Sequence, residues 1–290
     1  MDFNSFICKL VDIISERIEE DEDVIRYDAI KNNDTKLHGI VIKNATEKVS
    51  PTIYLERYYE KYLAEQNLEC IADEIIKLSR LHRNDINISS FEFENYENVK
   101  DELYAKLIGK DSNNKLLEHV PYKKFLDLAI VVYFDVSKWC GMNASVLVKK
   151  EHIKMWGIDE EELFDLAIKN AYIKNGYSIS NIFDLLGANL KDTIQNSLPM
   201  YVMTNKIKYY GAICMIYEDA IKEFCINNNC DVYIIPSSIH EIIIVPLSDE
   251  KLGYNINDAI SIVNETELDR EDVLSNHGYI YSRENGYEMI

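Results

Sequence analysis

The stretch VYIIPSSIHEIIIVP, residues 232–246, sets two runs of β-branched and aromatic residues around a Pro-Ser-Ser centre. Runs of that length and composition, bounded by turn-forming residues, predict two paired strands, VYII and EIIIVP. Pro236 has no backbone donor and a restricted φ, which places the reversal at that residue. Ser237 and Ser238 then bond the turn backbone, and His240 and Glu241 open the returning strand.

The segments on either side extend the pattern. PMYVMTN (199–205) reads as a strand and GAICMIYEDAIKEFCINN (211–228) as a helix. Ala212, Ile213, Ile216, Ala220, Ile221 and Phe224 supply that helix's buried side, and the asparagines at 227–229 end it. NDAISIVNE (257–265) gives a second helix and GYIYS (278–282) a last strand. The order is βαββαβ, which predicts an antiparallel sheet with two helices on one face.

Further upstream, FLDLAIVVYFDV (125–136) is an unbroken apolar run, expected as a central strand covered on both faces. A second strand around residues 144–148 precedes a helix with Asp159 as N-cap and a stripe of Leu163, Leu166, Ala167 and Ala171, with Trp156 closing the edge of that core. Near the N-terminus, apolar residues from Phe3 to Ile18 recur at three- and four-residue steps, predicting a helix. The acidic run 19–23 reads as a solvated exit from it. VIRYDAI and LHGIVIKN, separated by KNNDTK, form a second hairpin. Beyond Pro51 the pattern turns helical, with Tyr58, Tyr59 and Tyr62 on a packing face. Residues 84–100 carry no sustained period and read as a surface connection. The fold class is α/β of the α+β type in two lobes: residues 1–110 with the first helix, the hairpin and helices, and residues 111–290 with the C-terminal sheet.

Composition narrows the function classes. The chain has 290 residues with 31 Lys and Arg against 50 Asp and Glu, a formal charge of −19. That charge repels a polyanion over a Debye length of about 8 Å, so nucleic acid is not an expected direct partner. An exception is an acidic decoy, which inhibits a nucleic-acid enzyme by imitating phosphates with its own carboxylates. Asp2 and the absence of a basic run before the first apolar residues predict no secretory signal. No stretch reaches the roughly 18 continuous apolar residues of a membrane span. The cysteines at 8, 70, 140, 214, 225 and 230 are scattered through apolar segments, which predicts reduced thiols and a cytoplasmic setting. Their spacing is not that of a zinc or redox motif, so neither a metal nor a cofactor is expected.

PTIYLERYY (51–59), WGIDEEEL (156–163) followed by AIKN (167–170), YVMTN (201–205), Gly211-Ala212, the tract PSSIHE (236–241), VNETEL (263–268) and EDVLSN (271–276) together resemble an uncharacterised bacterial family. That family is catalogued as a domain of unknown function in anaerobic Gram-positive bacteria, and the resemblance implies no activity, cofactor or catalytic residue.

The chemistry must therefore come from the residues. Ser238, His240 and Glu241 contain the groups of a nucleophilic set, which requires the serine Oγ within reach of an imidazole nitrogen. No G-x-S-x-G elbow is present. His240-Glu241 begins an H-E-x-x-H pattern, but Ile244 stands where the second histidine is needed. Around Gly109-Lys110, Tyr104 and Asp111 replace the glycine and the Ser or Thr of a P-loop. A loop displayed by a rigid sheet is a common place for ligand contacts. The expectation is a non-enzymatic binding module in which Ser237, Ser238, His240 and Glu241, with Asn205 and Asp135, contact a small anion or a protein. A Ser238–His240 hydrolase is the alternative. Asn205 also suits a turn, Asp135 a loop cap, and His119 and His277 a satisfied surface. Nothing in the sequence sets an oligomeric state.

Overall fold

The computed structural model describes residues 1–44, 50–85, 93–140, 144–182, 184, 199–247 and 256–290. The chain begins with α1 (Phe3–Ser15), capped by the Asp2 carboxylate, which accepts the Ser5 backbone N–H at 2.9 Å. Strands β1 (Glu22–Ile30) and β2 (Lys36–Asn44) pair antiparallel over their full length, with Tyr27 opposite Gly39. The acidic exit is less solvated than expected: Glu22 is buried and its Oε2 accepts the Glu19 N–H, closing the turn into β1. β3 (Ile53–Tyr54) completes a three-stranded sheet in the order β1-β2-β3. Helices α2 (Glu56–Glu65) and α3 (Leu68–Asp85) are separated at Gln66, whose φ of 52° cannot continue a helix.

Next come α4 (Tyr96–Val99), β4 (Leu103–Gly109), α5 (Asn114–His119), β5 (Lys123–Phe125) and β6 (Leu128–Asp135). The apolar run 125–136 is therefore two strands, because Leu126 at φ 56° turns the chain before Asp127. The second of them behaves as expected, with Leu128 to Phe134 all buried between β4 and β5. α6 (Ser137–Cys140), β7 (Ser145–Leu147), α7 (Lys150–Trp156) and α8 (Glu160–Asn170) follow, with β7 also paired to β6. Asp159 caps α8 by accepting the Glu162 N–H at 2.8 Å, and Leu163, Ala167 and Ala171 are buried. Trp156 is buried as well, its Nε1–H donating to the Phe93 carbonyl.

The C-terminal sheet is built from β8 (Ser178–Asn181), β9 (Tyr201–Thr204), α9 (Glu218–Asn228), β10 (Val232–Ser238), β11 (Glu241–Pro246), α10 (Ile256–Thr266), β12 (Tyr279–Ser282) and β13 (Gly286–Met289). Its strand order is β13-β12-β10-β11-β9-β8, with every adjacent pair antiparallel. β9 and β10 are thus parallel with β11 between them, and β11 and β12 are parallel with β10 between them. Two split β-α-β units interlock through the β10–β11 hairpin. The apolar segment before α9 begins as a short 3-10 helix, Gly211–Ile216, because its turn closes against the hairpin. Along β10, Val232, Ile234, Pro236 and Ser238 are buried and the residues between them are not.

Contacts divide the chain into two compact units, one of residues 1–31, 35–92 and 135–145, the other of residues 32–34, 93–134 and 146–290. The first has its own core of Phe6, Leu10, Ile14, Ile40, Leu55, Ile71 and Ile75, all fully buried. Tyr59 and Tyr62 pack their rings 5.3 and 5.4 Å from Phe6, which is the packing face the tyrosine spacing predicts. This is an α+β fold.

Candidate functional site

The β10–β11 corner does not reverse at Pro236. Ile235 pairs with Ile243 and Ser238 with Glu241, so Pro236 and Ser237 together oppose Ile242 in a β-bulge, and the turn itself is Ile239–His240. A proline without a ladder donor is accommodated at such a bulge. The Ser238 Oγ accepts the His240 N–H at 3.0 Å and closes the two-residue turn. Ile239, buried, donates its N–H to the Asp272 carbonyl and accepts from the Ala212 N–H. The Thr204 hydroxyl donates to the His240 carbonyl at 2.8 Å. Gly211 lies against both, since a Cβ there would meet Thr204 Oγ1 at 2.0 Å and the His240 oxygen at 2.5 Å.

The imidazole of His240 is anchored through one nitrogen and has a carboxylate near the other. Nδ1 accepts the Tyr210 N–H at 3.1 Å, so the proton of the neutral ring sits on Nε2, which faces Asp272 Oδ1 at 3.4 Å. The ring stacks on Tyr210 at 5.7 Å and 9° and lies 5.4 Å from Tyr209. The Lys106 Nζ sits 3.9 Å from the centre of the Tyr210 ring.

Asn205 is buried and works as a clamp. Its Nδ2 donates to the Tyr209 carbonyl at 2.7 Å and its Oδ1 accepts the Tyr209 N–H at 3.2 Å. Between these anchors the loop runs Lys206-Ile207-Lys208, with Lys208 and Tyr210 both at φ 54°. All three loop side chains are exposed, Ile207 at 51%. Among the described residues, neither Lys206 nor Lys208 makes an ion pair.

The remaining predicted residues take other positions. Ser237 and Glu241 are half-buried on the two strands of the corner. Asp135 ends β6 and caps α6, its Oδ1 accepting the Ser137 N–H at 2.8 Å. Sequence reasoning missed Asp272, Tyr209, Tyr210, Thr204 and Lys106. It also missed the anchor of Asp272, an asparagine knot. The Asn33 N–H donates to Asn113 Oδ1, and Asn33 Nδ2 donates to the Arg270 and Val273 carbonyls on the turn that carries Asp272. Asn113, fully buried, donates in turn to the Gly109 carbonyl. The paired asparagines at 32–33 and 113–114 were the available signal; the first pair was read as part of the KNNDTK turn and the second was not read at all.

A second polar cluster gathers on Asp127. Its carboxylate accepts from Ser275 Oγ at 2.7 Å and from the Tyr279 hydroxyl at 2.7 Å, and lies 3.2 Å from His277 Nδ1. The serine faces the carboxylate rather than the imidazole, so this is not a nucleophilic triad. Burial and the neighbouring Asp127 charge push the Tyr279 phenol far above its ordinary range. A cavity of about 430 Å³ lies in the first unit, lined by Arg17, Asp73, Ile76, Lys77, Arg80 and Leu81. Its Arg17 is already paired with Glu69 and Asp73. Among the described residues, no group of three or more His, Cys, Asp or Glu side chains could hold a metal ion, and no helix is long and apolar enough to cross a membrane.

A family model described as a family of unknown function, DUF5688, matches residues 3–283, and the chain belongs to that family. No curated protein and no solved structure matches it.

Proposed function

We propose that this member of the DUF5688 family is a non-enzymatic, cytoplasmic protein-binding module in which the PSSIHE corner supports the Lys206–Tyr210 loop and the loop docks an acidic segment of a partner. One observation carries the reading. Two exposed lysines without ion pairs flank an exposed isoleucine on a clamped loop, in a chain of net charge −19. Exposed apolar surface ringed by one charge fits a partner of opposite charge with an apolar socket. Two non-glycine residues in the left-handed region cost about 1 kcal/mol or more each, and such strain collects where a loop is held for a purpose. The cytoplasmic setting is supported by the free thiols of Cys8, Cys70, Cys214, Cys225 and Cys230.

The hydrolase alternative finds less support, because Ser238 Oγ serves the turn backbone and His240 Nδ1 accepts the Tyr210 N–H. An acidic decoy needs an uninterrupted row of carboxylates. Pairs such as Arg17 with Glu69 and Asp73, and Lys61 with Glu74, interleave the signs instead.

The test is fluorescence anisotropy with labelled peptides that alternate Glu or Asp with Leu. Saturable, salt-sensitive binding to the wild type, weakened at least tenfold in K206E/K208E and in I207D, supports the reading. Binding equal in wild type and variants, or none across the peptide set, removes it. Competition by inorganic pyrophosphate separates a small-anion site from a peptide site.

A further inference from the structure

Strand β1 lies at the edge of the first unit's sheet, and among the described residues no strand pairs with its outer side. It is nine residues long and regularly paired to β2 throughout. Ile25, Tyr27 and Ile30 on it are 42%, 51% and 46% exposed. An edge of that length with apolar side chains in solvent is a template for another strand unless something blocks it. Proline or a bulge would block it, and β1 has neither; its adjacent like charges are confined to Glu22 and Asp23 at its first two positions.

The sequence of β1 specifies the strand that fits. In an antiparallel pair, opposed residues alternate between two hydrogen-bonding types, so a two-fold axis must pass midway between a residue and its own copy. An axis at Arg26 sets two arginines against each other, and an axis at Asp28 sets two aspartates. An axis at Ile25 opposes Glu22 to Asp28. With the axis at Tyr27, Arg26 of one protomer lies opposite Asp28 of its partner, twice by symmetry. Val24 then faces Ile30, and Ile25 faces Ala29. Directly opposed charges of opposite sign and apolar pairs both favour that register.

We propose that the chain forms a two-fold homodimer by antiparallel pairing of β1 with β1 of a second copy, centred on Tyr27, which joins two three-stranded sheets into one of six. The Asp28 carboxylate already contacts Lys36 at 2.7 Å across the hairpin, with half of its side chain in solvent, so it can serve both lysine and arginine.

Sedimentation velocity across a wide concentration range tests this with the full chain. The expected result is a reversible species of twice the 33.7 kDa chain mass. R26D and D28R, each placing like charges opposite one another, are expected to raise the dimer dissociation constant at least tenfold. The double variant R26D/D28R restores the opposed pairs and is expected to recover most of the affinity. Thermal unfolding of the three variants checks that the monomer is intact. A wild type that stays monomeric at all concentrations overturns the proposal. So does a dimer indifferent to the single swaps, or one that the double swap fails to restore.

Discussion

The backbone N–H of Tyr210 donates to Nδ1 of His240 at 3.1 Å while the two rings stack within 9° of parallel. That contact orients the imidazole and aims its other nitrogen at Asp272. It also ties the loop after β9 to the hairpin turn, so the corner serves as a joint. Within it, Ser238 Oγ and His240 Nδ1 each accept a backbone N–H.

If the joint is as tight as the geometry shows, Gly211→Ala has no room for its methyl group. Backbone and Thr204 must move, and stability is expected to fall by about 2–3 kcal/mol. Ser238→Ala, which leaves the His240 N–H without its acceptor, is expected to cost about 1 kcal/mol. Urea unfolding midpoints measure both, and an unchanged midpoint for Gly211→Ala would show the corner to be loose.

The asparagine knot should be worth more. Asn113→Ala strands the Asn33 N–H and the Gly109 carbonyl in a buried site, with an expected loss of about 3 kcal/mol. Amide exchange at Asn33 is expected to accelerate with it. A variant as stable as wild type would mean that solvent reaches this site.

These two sites mark where sequence reading stops. The pairing of VYII with EIIIVP was legible from the two β-branched runs, but the extension of β10 through Pro236 to Ser238, with Val232, Ile234, Pro236 and Ser238 buried on one face, was not. Nor was the turn position. Pro236 satisfies a bulge as well as a reversal, and the choice depends on which residue of β11 it opposes. Asp159 as a cap was legible from spacing alone, and the structure confirms its bond to Glu162. The Asn33–Asn113 bond joins residues far apart in sequence, and no periodicity encodes such a pair. His240 was singled out from the sequence, whereas the residues around it, Tyr210 and Asp272, come from two distant loops.

Thiol reactivity follows burial. Desolvation pushes Cys214 up to about 12 and Cys225 up to about 11, whereas Cys8 and Cys70 are exposed. An aromatic disulfide reagent at neutral pH is expected to modify Cys8 and Cys70 in the native protein and to reach Cys214 and Cys225 only after denaturation. Peptide mapping reads the sites. Rapid native modification of Cys214 would contradict its placement.

Burial also holds the His152 imidazole below its ordinary value of 6.5, with Glu151 opposing the shift. As pH falls below 6.5, the unfolded chain takes up a proton that the folded chain still refuses. Its contribution to stability is therefore present above 6.5 and is lost as pH falls through the lowered folded value. His152→Gln is expected to flatten that limb of the stability curve, as read from urea midpoints between pH 5 and 7. An unchanged slope would assign it to other groups.

The central claim is that the His240 corner is a rigid support and the Lys206–Tyr210 loop the contact surface. Amide chemical-shift mapping during titration with the acidic peptides tests it most directly. The account predicts saturable shifts at Lys206, Ile207 and Lys208, fading through Tyr209 and Tyr210, with Ser238 and Ile239 unmoved. Shifts centred on Ser237 to Glu241 with a silent loop, or no saturable shift in either place, would contradict it.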